Sequence, residues 1–105
     1  MGLERHSFHE KRIDDRIAVL HRTRAIGPEG RSLPLTIVDV SVSGMMARCD
    51  IAFVPGVQIS VKLPAIGEQA ARICWSLGGR VGLAFCPALA ADDYAALLAA
   101  LAQAG

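Results

Sequence analysis

No apolar run in this chain approaches the ~20 residues that a membrane-crossing helix needs, although 52% of its residues are hydrophobic. Residues 1–6 hold no apolar segment of the kind a secretory signal carries. Together these absences predict a cytoplasmic protein without membrane insertion. Aromatic residues are scarce, with three Phe, one Tyr and one Trp, whereas a groove for single-stranded nucleic acid needs several of them exposed along a basic track. Charge is nearly balanced at +1, so there is no overall field for DNA. Cys49, Cys74 and Cys86 are odd in number and form no C-x-x-C; each sits in an apolar run, which predicts buried free thiols. No G-x-S-x-G elbow accompanies Ser41 or Ser43, and the histidines lie in or near the N-terminal arm, so no hydrolase is expected. His6 and His9 have metal-like spacing but no third ligand nearby. Neither an enzyme nor a metal or cofactor site is predicted.

What is present is enough for one small core. Residues 1–15 carry few apolar groups and no periodicity, too little to offset an ordering cost of ~1–2 kcal/mol per residue. They read as a flexible arm, with residues 1–10 outside the domain and 11–103 within it. The arm region is basic: Arg5, Lys11, Arg12, Arg16, Arg22 and Arg24 are six of the chain's 11 Lys and Arg, set against four acids in the first 24 residues. Arg12 and Arg16 stand four apart. On a helix or an extended chain alike they share a face, so two guanidinium forks can converge on one multiply charged anion.

Downstream the dominant period is two. Residues 16–24, 35–40, 45–49, 57–63, 69–76 and 80–85 read as strands. Residues 57–63 are the clearest, with Val57, Ile59, Val61 and Leu63 on one side and Gln58, Ser60 and Lys62 on the other. Gly27-Pro28-Glu29-Gly30 suits a type I turn, and Gly78-Gly79 a tight hairpin tip. Over residues 91–102 the period changes: Tyr94, Leu97, Leu98 and Leu101 mark one helix face behind Asp92 and Asp93. The prediction is an all-β fold of six antiparallel strands closed by a C-terminal α-helix, arranged as a barrel or a sandwich. The second strand ends in Asp39-Val40-Ser41-Val42-Ser43-Gly44 before resuming at Met45-Met46. That break supplies a carboxylate, a hydroxyl and a residue without Cβ. One of the two methionines must face outward.

Arg12-x-x-x-Arg16 followed by Asp39-x-Ser41-x-x-Gly44 at a strand junction resembles the PilZ domain family, bacterial receptors for cyclic di-GMP. Pro55-Gly56-Val57 resembles the family's middle strands. Ala71-Arg72-Ile73-Cys74-Trp75 with Gly82-Leu83-Ala84-Phe85 resembles its closing hairpin, so the likeness spans residues 10–103. The resemblance implies that the six antiparallel strands close into a β-barrel with the C-terminal α-helix against it, and that the ligand is cyclic di-GMP. Arg12 and Arg16 would then take phosphate and the O6/N7 edge of guanine, Asp39 its N1 and N2 hydrogens, Ser41 would complete that edge, and Gly44 would allow close approach. Lys11 occupies the position associated in the family with binding a stacked pair of ligands. Trp75 either lends a ring face to guanine or packs inside the barrel. The resemblance further implies that ligand orders the arm and that the altered surface acts on an effector protein, with the chain a monomer or weak homodimer. Two other readings keep the small barrel: an adaptor working through protein contacts alone, and a binder of single-stranded nucleic acid.

Overall fold

A computed structural model describes residues 15–104 of the chain. Six strands follow in order: β1 (Ile17–Ile26), β2 (Ser32–Val40), β3 (Gly44–Arg48), β4 (Gln58–Leu63), β5 (Gly67–Leu77) and β6 (Arg80–Phe85), then the helix α1 (Ala91–Ala104). All pairings are antiparallel, and the sheet closes as β1-β2-β3-β6-β5-β4. Every strand thus has a neighbour on both sides, although β1 meets β4 over its last two residues alone. The seam between β1 and β4 is the shortest ladder, pairing Ala25 with Val61 and Ile26 with Ser60. There the Thr23 hydroxyl adds a bond by donating to the Lys62 carbonyl.

Alternation builds the interior as the sequence predicts. Leu33, Leu35 and Ile37 of β2, Met45 and Ala47 of β3, Ile59, Val61 and Leu63 of β4, Ala71 and Ile73 of β5, and Val81, Leu83 and Phe85 of β6 all point inward. Leu97 and Leu101 of α1 complete this core, and Tyr94 and Leu98 pack against it. The helix therefore stops one end of the barrel. A Tyr94 hydroxyl bond to the Val40 carbonyl at 3.5 Å and a Leu89 amide bond to the Val42 carbonyl at 2.9 Å tie it to the β2–β3 turn.

Three expectations need correction. The Gly27-Pro28-Glu29-Gly30 turn has the type II form rather than type I, with Glu29 at φ 69° and ψ 12° and a Gly30 amide bond to the Gly27 carbonyl at 3.1 Å. Proline at the second position fits either type; the reversal between paired Ile26 and Ser32 runs through left-handed backbone at Glu29 and Gly30. Of the three free thiols only Cys49 is buried; Cys86 is half-buried and Cys74 exposed. A residue's place in the strand alternation, not the apolar character of its neighbours, decides its face. Finally, β1 and β2 extend to Ile26 and from Ser32, because the barrel seam recruits residues beyond the alternating core pattern.

Replacing fully buried Leu97 removes the stopper's central contact. Leu97→Ala is expected to cost about 2–5 kcal/mol of unfolding free energy, read by chemical denaturation.

Candidate functional site

Three irregularities of register sit at one level of the barrel. Between β1 and β2 the ladder shifts between Ala18 and His21; between β2 and β3 it shifts between Ile37 and Asp39; between β5 and β6 it shifts between Ile73 and Trp75. Each is a bulge, which changes the face that following side chains take. Strict alternation from Leu35 and Ile37 would aim Asp39 into the core. The bulge at Val38 instead leaves Asp39 outside and turns Val40 in, fully buried against Met45. The same device in β5 takes Trp75 out of the interior sequence Ala71, Ile73.

The consequence is an outward row across five strands. Ala18 pairs with Asp39, Asp39 with Met46, Met46 with Gly82, and Gly82 with Trp75. Trp75 is 42% exposed and covers Gly82, where an added Cβ would lie 2.2 Å from the indole Nε1. Of the two methionines, Met45 is inside and Met46 outside, between the carboxylate and the tryptophan. Trp75 thus lies on the barrel's exterior, not in its core.

At the other end of the row, Arg16 Nη1 donates to Asp39 Oδ1 at 2.9 Å, with side chains 50% and 16% exposed respectively. Arg16 immediately precedes β1, and the Ala18–Asp39 pairing brings it to β2. An ion pair this open to solvent contributes only about 0.2–1 kcal/mol. It is a contact that a competing group can exchange. Lys11 and Arg12 lie outside the described residues, as do His6 and His9.

Ser41 and Gly44 serve the turn itself. Ser41 is 0% exposed. Its hydroxyl accepts from the Ser43 and Gly44 amides at 3.3 and 3.2 Å and lies 3.3 Å from the Gly44 carbonyl, to which it donates. The Ser41 amide donates to the same carbonyl at 2.8 Å. A side chain mimicking backbone in this way is what holds so short a reversal closed. At Gly44 an added Cβ would lie 2.1 Å from the Leu83 carbonyl oxygen. The missing side chain here lets β3 and β6 approach each other. In this arrangement both residues place Asp39 by holding the turn beside it.

Sequence reading therefore named Asp39, Arg16 and Trp75 and one outward methionine beside them, but not which methionine it is nor the row that joins them. The only available signal was the Met45-Met46 pair. Among the described aromatics only Trp75 is exposed; Phe85 is buried and Phe53 and Tyr94 are half-buried. The described surface therefore offers no run of stacking platforms for nucleic acid.

Two glycine substitutions separate these roles. Gly44→Ala forces β3 from β6 and is expected to cost about 1–3 kcal/mol of stability, as overpacking does. Gly82→Ala displaces the indole, so the emission maximum of Trp75, the chain's single tryptophan, should shift.

The model of the PilZ domain matches residues 10–103 of the chain. No curated protein matches it.

Proposed function

The chain belongs to the PilZ domain family, whose members are receptors for cyclic di-GMP, and we propose that it binds this ligand on the outer row that begins at Asp39. The observation that carries the proposal is the Arg16–Asp39 pair, 2.9 Å apart on the barrel's exterior. It brings the last arginine of one motif onto the acid of the other, and both groups match guanine chemistry. A carboxylate can accept from the N1 and N2 hydrogens of guanine, and an arginine fork can donate to O6 and N7 or to phosphate.

Binding is then an exchange. Guanine takes Asp39 from Arg16, and the freed guanidinium joins Arg12 on the phosphates and the O6/N7 edge. Losing an exposed ion pair costs at most about 1 kcal/mol, less than the roughly 1.5–3 kcal/mol of one hydrogen bond to a charged group. Trp75 and Met46 supply the apolar floor, and Lys11 adds a cation for a second stacked ligand. Ser41 and Gly44 keep Asp39 at the rim through the turn. Ordering about six arm residues at ~1–2 kcal/mol each would absorb much of the gross contact energy. The net affinity is thereby placed near micromolar, about 8 kcal/mol. The altered outer face would then act on an effector protein, with the chain a monomer or weak homodimer in the cytoplasm.

Calorimetric titration with cyclic di-GMP tests this. Asp39→Asn removes one acceptor at nearly constant shape, and should weaken binding about ten- to a hundredfold, the equivalent of one charged hydrogen bond. Arg12→Ala should weaken it comparably. Unchanged affinity in both variants would overturn the assignment.

A further inference from the structure

One step further along the strands from the Asp39 row, a second outward row has a different character. Arg22 of β1 pairs with Thr36, Thr36 with Arg48, Arg48 with Arg80, and Arg80 with Leu77. Strand spacing of about 4.8 Å puts the Arg48 and Arg80 backbones about 5 Å apart and Arg22 about 10 Å from Arg48. All three arginines are exposed. None of the three guanidinium groups makes a hydrogen bond or ion pair among the described residues, whereas those of Arg16 and Arg24 do. In a chain of net charge +1, three unpaired guanidinium groups on one row are a local concentration of charge that self-repulsion disfavours.

The row is also concave and has an apolar end. A cavity of about 590 Å³ is lined by Arg22, Arg24, Thr36 and Arg48 together with Asp50. Cys49 and Asp50 are shared with a neighbouring cavity of about 290 Å³ that runs to Ile51 and Leu77. Leu77 is 79% exposed, and Ile51, which lines the same cavity, is exposed as well. A row of cations that ends in exposed aliphatic side chains joins the two kinds of group, polar and apolar, that protein-docking surfaces combine. These groups lie toward the barrel end formed by the β3–β4 and β5–β6 connections, opposite the end that α1 stops.

We propose that this face docks an acidic amphipathic segment of a partner protein. The segment's carboxylates would pair with Arg22, Arg48 and Arg80, and its large aliphatic side chains would cover Leu77 and Ile51. Guanidinium is weakly hydrated and binds carboxylate through two parallel bonds, so it suits desolvated contacts of this kind. A nucleic acid would gain nothing from covering Leu77 and Ile51, whereas aliphatic side chains of a protein segment would. The proposal rests on the chain acting through a partner, and is independent of which ligand occupies the Asp39 row.

The test uses the full chain and a fluorescein-labelled synthetic peptide carrying glutamate at i and i+4 with leucines between. Control peptides have serine for leucine or lysine for glutamate, and a labelled oligothymidine is included. Anisotropy should show binding of the glutamate–leucine peptide that weakens with salt, with amide shifts at Arg48, Leu77 and Arg80. Arg48→Glu/Arg80→Glu should lower its affinity at least about tenfold, and Leu77→Ser should lower it without a change of charge. Cyclic di-GMP titration of the charge-reversed variant should be unchanged. The proposal is overturned by equal peptide affinity in both variants or by equal binding of the serine or lysine peptides. Tighter binding of the oligothymidine would overturn it in favour of nucleic acid. Loss of cyclic di-GMP binding in a folded charge-reversed variant would overturn the separation of the two rows. Peptide binding by a chain that ignores cyclic di-GMP would leave the docking face standing and remove only the ligand assignment.

Discussion

A closed barrel of short strands leaves each side chain two choices, inside or outside, and strict alternation makes those choices for a whole strand at once. The bulges at one level of this barrel are where that constraint is released. On β2 a single extra residue lets Ile37 and Val40 both point inward with Asp39 outward between them. On β5 the same adjustment turns Trp75 onto the surface after Ala71 and Ile73 have filled the core. Burying an aspartate without a partner would cost several kcal/mol, so the irregularity is what makes an acid compatible with a core strand. Everything assigned to the Asp39 row follows from it.

The turn behind that row is coupled to the rest of the domain by hydrogen bonds rather than by side-chain packing alone. Ser41 closes it from within, while the Val42 and Ser43 carbonyls accept from the Leu89 and Phe85 amides. Tyr94 reaches back from the helix to Val40. The acid is thus mounted on a segment braced by both β6 and α1. On the opposing side, Arg16 stands at the mouth of β1 on an exposed and weak ion pair. A rigid acceptor facing an exchangeable donor is a suitable pairing for a ligand that must be both recognised and released.

The two outer rows divide the surface by chemistry. One row offers a carboxylate, a thioether and an indole, suited to a flat polar ring. The next offers unpaired arginines ending in an exposed leucine. They are separated by one alternation step, about 7 Å along the strands. An effector seated on the second row would lie beside any ligand held on the first. That proximity gives a bulky partner on one row a direct steric route to the other without a change in the barrel.

Much of this was legible in the amino-acid order. Period-two alternation with Gly and Pro at the turns located all six strands, because interior burial imposes it. The Tyr94, Leu97, Leu98 and Leu101 stripe located the helix for the same reason. The pairing of Arg12-x-x-x-Arg16 with Asp39-x-Ser41-x-x-Gly44 pointed to the ligand class. What alternation could not show is where it breaks. By that rule Asp39 and Trp75 face the core, and Arg22, Arg48 and Arg80 are unrelated residues far apart in the chain. Bulges are set by how neighbouring strands must twist and register to close the barrel, a condition that involves residues distant in sequence. Chemistry of the site is written locally; its placement, with Asp39 and Trp75 on one row and three arginines on the next, was decided only by closure.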